Sequence, residues 1–260
     1  MMLMNCPEQT KRVHTNHSKS AWLLLTILFL GLFLRLAAWM LDPIVSRDGA
    51  SYLIEAQKWS ASPGSFHYAS PPLLLYILRV YYQLGLNAEL WGCILNISMG
   101  IIFVFLVFKV AYLLFSCETA GLYAAFLVAV HPYLIQISYQ IQREPIYYVL
   151  VAIIVWRLVK FGSHDTMEKN AFTKDSVLIG GLLALSVFFR HEGWFGFPFL
   201  LIVAIYYGII SQQWKNVLKY AALFLVSFFT VFSLLALMTN LFQNVSLIIE
   251  DQYKETFGSF

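Results

Sequence analysis

Charged side chains are scarce in this 260-residue chain, where Asp, Glu, Lys and Arg together make up 12% of the sequence. A soluble domain carries about 25% of them, so the chain has too few charges to cover a water-facing surface. The net charge is only +3 and the basic residues are scattered, which excludes a nucleic-acid-binding protein. Cysteine is also rare. Cys6, Cys93 and Cys117 form neither a CxxC pair nor an even set, which excludes a disulfide scaffold and a structural zinc site.

Hydrophobic residues are abundant and form long runs. They make up 60% of the chain, and the aromatic residues alone are 22 Phe, 15 Tyr and 7 Trp. Such runs need lipid as their solvent, and aromatic rings collect at membrane interfaces. The sequence therefore predicts an all-α, polytopic transmembrane helix bundle. Seven runs are long enough to span, which takes about 17–25 helical residues; they are residues 21–41, 90–115, 119–140, 145–161, 176–190, 194–210 and 217–240.

The N-terminal residues predict the orientation. They are polar and basic up to residue 20, and the apolar run that follows is longer than the core of a signal peptide. We therefore expect an uncleaved signal-anchor in the plasma (inner) membrane, with the N-terminus in the cytoplasm. The expected organisation is a cytoplasmic segment at 1–20, a transmembrane domain at 21–240 with an outer loop at 42–89, and an outer tail at 241–260.

An eighth apolar run, residues 71–86, opens with two prolines and is short for a span. Whether it crosses decides the side on which every later loop lies. If it does not cross, the most basic loop, WRLVKFGSHDTMEKNAFTK, faces the cytoplasm, as the positive-inside bias favours. We therefore predict that residues 71–86 form an interfacial half-helix inside the outer loop.

This topology places three acid-plus-arginine motifs on the same outer face. Ionisable residues at membrane depth are candidates for a functional site. The alternative is that such residues only mark the membrane interface. The motifs are Arg47-Asp48 after the first helix, Arg143-Glu144 between the third and fourth, and Arg190-His191-Glu192 between the fifth and sixth.

Several short motifs follow one another in a recognisable order: Arg35-Leu36, Asp48 and Tyr52 in SRDGASYLIEAQKW, Pro71-Pro72-Leu73, His131-Pro132, Ser138, Arg143-Glu144 and FFRHEGWFGFP. In this order they resemble the GT-C glycosyltransferases that take sugar from a polyprenyl-phosphate carrier. Those proteins include the protein O-mannosyltransferases and the lipid A aminoarabinose transferases. Members usually have more helices and an outer C-terminal domain, so the resemblance implies a short or C-terminally truncated member.

Two positions depart from the pattern of that family. Many members have two consecutive acids in the first loop, whereas Asp48 is followed here by Gly49. A basic residue often stands directly before Pro-Pro, where this chain has Ser70. We expect His67 to substitute for that basic residue.

The resemblance implies sugar transfer at the outer face, with inverting chemistry. Such transfer needs a carboxylate to take the proton from the attacking hydroxyl, and positive charge for the departing phosphate. We expect Asp48 to be the base; alternatively, it is the N-cap of the helix SYLIEAQKW. Arg143 and Arg190 are the candidates for phosphate binding because guanidinium forks match phosphate oxygens. The alternative for both is that they snorkel to the interface.

The remaining site candidates have supporting roles. Glu144 orients the acceptor, binds a cation or pairs with an arginine, and it is grouped with Asp48 as catalytic. The other substrate-binding candidates are Arg47, Tyr52, His67 and Glu192. We predict no metal-ligating set of side chains, and a divalent cation is the one cofactor that the chemistry allows for. The expected partners are a polyprenyl-phosphate sugar donor, membrane lipid, and an acceptor glycan, lipid or protein, with no nucleic acid.

Two rival functions remain open at this point, namely a transporter or flippase of a lipid-linked substrate and a catalytically silent membrane subunit. The charges gather at one face rather than at the midplane, which favours surface chemistry over transport. His131 is interpreted as a packing or kink feature, with a place facing the site as its alternative. The sequons at Asn96 and Asn244 are weak, and the first lies in a predicted helix.

Overall fold

The computed structural model describes residues 17–43, 45–61, 72–162, 169–211 and 214–238. These residues form helices and no strand, which confirms the all-α class. A 3-10 helix (His191–Phe195) joins two of the α-helices. The α-helices are α1 (His17–Leu41), α2 (Arg47–Ala61), α3 (Pro72–Gln83), α4 (Ala88–Phe115), α5 (Glu118–Val130), α6 (Pro132–Tyr139), α7 (Glu144–Gly162), α8 (Lys169–Phe189), α9 (Gly196–Ser211) and α10 (Trp214–Met238).

Three of the described helices are long and apolar enough to cross a membrane, namely α1, α4 and α10. The pair α5 and α6 is a fourth candidate if the two helices count as one bent span. Helices also occupy the other predicted span positions, in α7, α8 and α9. The chain is thus a multi-pass membrane protein, and the arrangement of seven spans stays a prediction.

The bend between α5 and α6 follows from Pro132. Proline has no N–H, and its ring disfavours the helical conformation of the preceding residue. His131 accordingly has extended backbone angles, φ −67° and ψ 118°, and Pro132 opens α6. The two helices meet at an angle of 60°. The interpretation of His131 as a kink feature is confirmed, and its side chain is exposed.

Arg35 of α1 is fully buried beside this bend. Its Nη1 donates hydrogen bonds to the carbonyl oxygens of Gly31, at 3.0 Å, and Ala129, at 3.2 Å. Ala129 lies in the last turn of α5, where carbonyls lack helical partners and the helix dipole favours positive charge. Arg35 therefore ties α1 to the broken end of α5.

The helices α2 and α3 share an apolar core with one end of the bundle. α3 has 12 residues and is about 18 Å long, well short of the ≈ 30 Å hydrocarbon layer. The short helix predicted at 71–86 is thereby confirmed, while its place at the interface stays a prediction. The core contains Tyr52, Ala56 and Trp59 of α2, Leu74, Leu75 and Leu78 of α3, and Cys93, Ile141, Ile146, Leu150 and Phe189 from the rest of the bundle.

Candidate functional site

Two of the acid-plus-arginine motifs meet around Glu144. Arg190, directly after α8, donates a hydrogen bond from Nη1 to Oε1 of Glu144 at 2.8 Å. Its Nε donates to Oε2 of Glu192 at 3.0 Å, and its Nη2 donates to the other oxygen of that carboxylate. Arg143 Nε lies 3.9 Å from the same Glu144 oxygen. Two arginines that are far apart in the sequence therefore share one carboxylate at the start of α7.

The first turn of α2 reaches the same end of the bundle. A Cβ atom on Gly49 would lie only 2.9 Å from the carbonyl oxygen of Ile141, in the segment that links α6 to α7. Gln142 of that segment donates a hydrogen bond from Nε2 to Oγ of Ser46 at 2.8 Å. The contact leaves no room for a side chain at position 49. Many members of the family that the chain resembles have a second acid directly after the first. The close packing at Gly49 explains why Asp48 is followed here by glycine instead.

Ser46, and not Asp48, is the N-cap of α2. Its Oγ accepts a hydrogen bond from the backbone N–H of Gly49 at 3.1 Å, and its carbonyl oxygen accepts one from Ala50. This is the geometry of an N-cap residue. The alternative interpretation of Asp48 as the cap is therefore wrong. Arg47 and Asp48 lie in the first turn with exposed side chains, so the carboxylate of Asp48 is accessible.

Tyr52 of α2 is within electrostatic reach of both Asp48 and Glu144. Its side chain is buried, and this burial is the main cause of the raised pKa of its phenol. The charge of Arg143 lowers that pKa, whereas the carboxylates of Asp48, Glu144 and Glu55 raise it. Because one phenol responds to charges of both motifs, Asp48 and Arg143 lie within electrostatic reach of the same point.

The two arginines differ in how far the protein itself satisfies them. Hydrogen bonds from Arg190 lower the pKa of the Glu192 carboxyl to about 2, and the same pairing raises the pKa of Arg190. The Arg190 guanidinium also lies 5.7 Å from the centre of the Tyr147 ring. Arg143, by contrast, has 28% of its side chain exposed, and its ion pair among the described residues is the 3.9 Å approach to Glu144. Arg143 is therefore the more available cation.

Two of the sequence predictions concern His67 and the sequon at Asn244, which lie outside the described residues. Within the described part of the chain, no group of three or more His, Cys, Asp or Glu side chains is arranged to hold a metal ion. The divalent cation therefore stays a prediction.

Sequence analysis missed the part that Asn96 plays in the structure. This residue of α4 is 1% exposed, and its Nδ2 donates hydrogen bonds to the carbonyl oxygens of Gln140, at 2.6 Å, and Gln142, at 2.8 Å. A buried amide engaged in this way is not a glycosylation acceptor. The signal that points to it is the single amide side chain within an otherwise apolar helix.

An apolar cavity of about 540 Å³ lies among α8, α9 and α10. Its wall includes Phe197 and Phe224, with Ser176 and Tyr220 as the polar lining residues. The ring of Phe197 stacks on that of Trp194, whose centroid is 5.7 Å away, in the 3-10 helix that follows Arg190. One wall of the cavity is thus in contact with the segment that carries the charge cluster.

The fold and the cluster define a class, that of polytopic helical membrane proteins with a charged site at one end of the bundle. The sequence model of the dolichyl-phosphate-mannose-protein mannosyltransferase family matches residues 69–243, well over half of the chain. The chain belongs to that family. The resemblance to GT-C glycosyltransferases is thereby confirmed, and the chain is classed as a membrane glycosyltransferase. No curated protein and no solved structure matches it.

The matched residues carry only part of the candidate site. They include Arg143, Glu144, Arg190 and Glu192, whereas the first motif lies before residue 69. The roles of all these residues stay predictions, because family membership defines the class of reaction and not the function of each side chain.

Proposed function

We propose that the protein transfers a sugar from a polyprenyl-phosphate donor to an acceptor at the outer face of the membrane. The observation that carries this proposal is the convergence of three separate acid-plus-arginine motifs at one end of the helix bundle. Asp48, the Arg143-Glu144 pair and Arg190 come from three different places in the fold. Both arginines approach Glu144, and the charges of Asp48, Arg143 and Glu144 all act on Tyr52. Glycosyl transfer from a lipid phosphate needs this combination of a carboxylate and cations at a membrane interface.

Arg143 is the contact for the donor phosphate in this proposal. It is partly exposed, and within the described part of the chain its ion pair with Glu144 is long, so a phosphate need not displace a closely bound carboxylate of those residues. Arg190 is bidentate with Glu192 and also bonded to Glu144, so it acts first as the support of Glu144. Glu192 is 46% exposed, and if it moves aside the Arg190 fork becomes available to the same phosphate.

Asp48 is the general base in this proposal. Its carboxylate is exposed, and it lies two residues after Ser46, the residue that caps α2. Tyr52, one turn further along α2, and Arg47 are placed to contact the substrate beside it. Glu144 has one oxygen, Oε2, that is buried and has no hydrogen-bond partner among the described residues. A hydroxyl of the acceptor or of the sugar would satisfy that oxygen.

The convergence of the motifs also supports the proposed topology of seven spans. If Asp48 and Arg143 lie on the same side, an even number of spans separates them. The helix α4 and the bent pair α5–α6 supply two, provided that α3 does not cross. The 12-residue length of α3 supports that condition. The lipid tail of the donor would then lie between helices, and the apolar cavity beside Phe197 is space of the required character.

A binding experiment with the purified protein in detergent and polyprenyl phosphate tests the role of the arginines. Arg143→Gln should weaken binding about 10- to 100-fold, because a hydrogen bond to a charged group contributes about 1.5–3 kcal/mol. Arg143→Lys should recover only part of this loss, because it keeps the charge but not the fork. Arg190→Gln should also weaken binding, and the double variant should be non-additive.

Arg157→Gln is the matched control for this experiment. Arg157 is also paired with a carboxylate, Asp175 at 3.1 Å, but it lies in the second half of α7, and its ion pair joins that helix to α8. Its replacement should leave the affinity for polyprenyl phosphate unchanged. If Lys serves as well as Arg at position 143, and the effects of positions 143 and 190 simply add, the arginines only snorkel and the silent-subunit function becomes the better account.

A further inference from the structure

The segment between α6 and α7 carries Arg143 and Glu144 but belongs to neither helix for most of its length. Gln140, at its start, has extended backbone angles, φ −90° and ψ 158°, and Glu144 is the first residue of α7. Carbonyl groups in such a segment have no helical partners of their own. The position of Arg143 therefore depends on contacts made by other parts of the chain.

Asn96 supplies the contact on the α4 side. Both of its amide hydrogens are donated to this segment, one to the carbonyl of Gln140 and one to that of Gln142, which brackets Ile141. The Asn96 side chain is buried in a helix apolar enough to span a membrane, where an unsatisfied amide is strongly unfavourable. The Asn96 Oδ1 atom has no hydrogen-bond partner among the described residues, so the two bonds from Nδ2 are the polar contacts that hold this side chain to the segment.

Residues of α4 and of the start of α2 also pack against the 140–142 segment. Ile141 is 1% exposed, and its side chain lies against Gly92 of α4, where a Cβ atom would be only 3.2 Å away. On the opposite side, Gly49 of α2 approaches the Ile141 carbonyl, and Ser46 accepts the hydrogen bond from Gln142. The segment is thus held by contacts with both α4 and the start of α2.

We infer that Asn96 is a positioning residue of the site, which holds Arg143 and Glu144 in place for the donor phosphate by clamping the 140–142 backbone. This inference rests on the proposed function for its effect on the donor, while the clamp itself does not. Among the described residues, Asn96 donates hydrogen bonds to the carbonyls of Gln140 and Gln142 and not to Arg143 or Glu144. A replacement that keeps its branched shape but removes the donors should therefore change the site without changing its charges.

Asn96→Leu is the variant that tests the clamp, because it keeps a branched side chain of four heavy atoms, removes both donors and suits an apolar helix. It should weaken the binding of polyprenyl phosphate about tenfold, since two buried carbonyls lose their donors and the segment shifts. Asn96→Asp should have at least as large an effect, because it places a carboxylate against two carbonyls. If Asn96 acts through Arg143, combining Asn96→Leu with Arg143→Gln should add little to the effect of Arg143→Gln alone.

Ser98→Ala is the matched control on the same helix. Ser98 is exposed and its hydroxyl donates a hydrogen bond to the Ile94 carbonyl of its own helix, so its loss should leave donor binding unchanged. Ser98→Ala also removes the glycosylation sequon. If it reproduced the effect of Asn96→Leu, that effect would come from the loss of a glycan at Asn96. That result would overturn the clamp.

A spin label at position 140, in a chain with its three native cysteines replaced, measures the mobility of the clamped segment without any ligand. The label should be immobilised in the parent chain, and Asn96→Leu should make it more mobile. An unchanged spectrum in the Asn96→Leu variant overturns the inference, whatever the donor assay gives. If the label responds but the parent chain binds no polyprenyl phosphate, the clamp stands as a structural feature and the proposed function fails.

Discussion

Arg143 and Arg190 share Glu144, yet the surrounding side chains prepare them for different tasks. Arg190 already has two carboxylates and the Tyr147 ring as partners, so it is fixed before any ligand arrives. Arg143 approaches Glu144 at a longer distance, 3.9 Å, and its side chain is partly exposed. The sequence predicted both as phosphate ligands because it identifies the residue type, whereas the number of partners depends on tertiary packing.

The ion pair of Glu192 with Arg190 should show in the pH dependence of stability. The folded-state pKa of Glu192, about 2, lies below its ordinary value of 4.5. Its contribution to stability is therefore fully present above about pH 4.5 and is lost as the pH falls towards 2. Glu192→Gln should lower the melting temperature of the purified protein by a constant amount between pH 7 and pH 5, and by a shrinking amount below that.

The measurement is a series of thermal melts of both forms in the same detergent. Because Glu192 is largely exposed, screening keeps the difference small. The pairing would be contradicted by equal melting temperatures at pH 7, or by a difference that stays constant down to pH 3.

The helices that build the site are short or interrupted, and each interruption has a residue-level cause. Pro132 breaks the span predicted at 119–140 into α5 and α6, and Arg35 satisfies the carbonyl of Ala129 at the break. Ser46 starts α2, where sequence analysis offered Asp48 as the alternative cap. The apolar runs of the sequence predicted the positions of the helices, because the length of a run determines whether a helix can span the membrane. They did not predict which helix ends meet, because that depends on contacts such as those of Asn96.

The approach of α2 to the 140–142 segment predicts a strict requirement for glycine at position 49. Gly49→Ala would place a Cβ atom 2.9 Å from the Ile141 carbonyl and 3.0 Å from Ser46 Oγ. Overpacking of this kind typically costs about 1–3 kcal/mol. The variant should melt at a lower temperature and transfer sugar more slowly, because Asp48 moves with the first turn of α2.

Gly181→Ala is the control for that experiment. A Cβ atom on Gly181 of α8 would have its nearest neighbour at 3.5 Å, which is ordinary contact. Because alanine favours a helix by about 1 kcal/mol over glycine, this variant should be neutral or slightly more stable. If Gly49→Ala behaved like Gly181→Ala in both melting and transfer, the close packing of α2 on the segment would be refuted.

For the whole molecule, the family match and the geometry of the charged residues give different information. The match covers residues 69–243 and gives the class of reaction, while α2, before the match, supplies Asp48 and Tyr52. Charge bias along the sequence predicted that the three motifs share a face, and the structure brings them together without reference to any membrane. The sugar and the acceptor are properties of the substrate pocket that neither the motifs nor the helix ends specify.

The most direct test of the account is sugar transfer by membranes that contain the chain, supplied with radiolabelled polyprenyl-phosphate sugars. The account predicts incorporation of label into an acceptor with the parent chain. It predicts a loss of about 10²–10⁴-fold with Asp48→Asn, the range typical of a general base, at equal protein level and equal donor binding. Full transfer by Asp48→Asn would contradict the role of Asp48, and no transfer by the parent chain with any of these donors would contradict the proposed function.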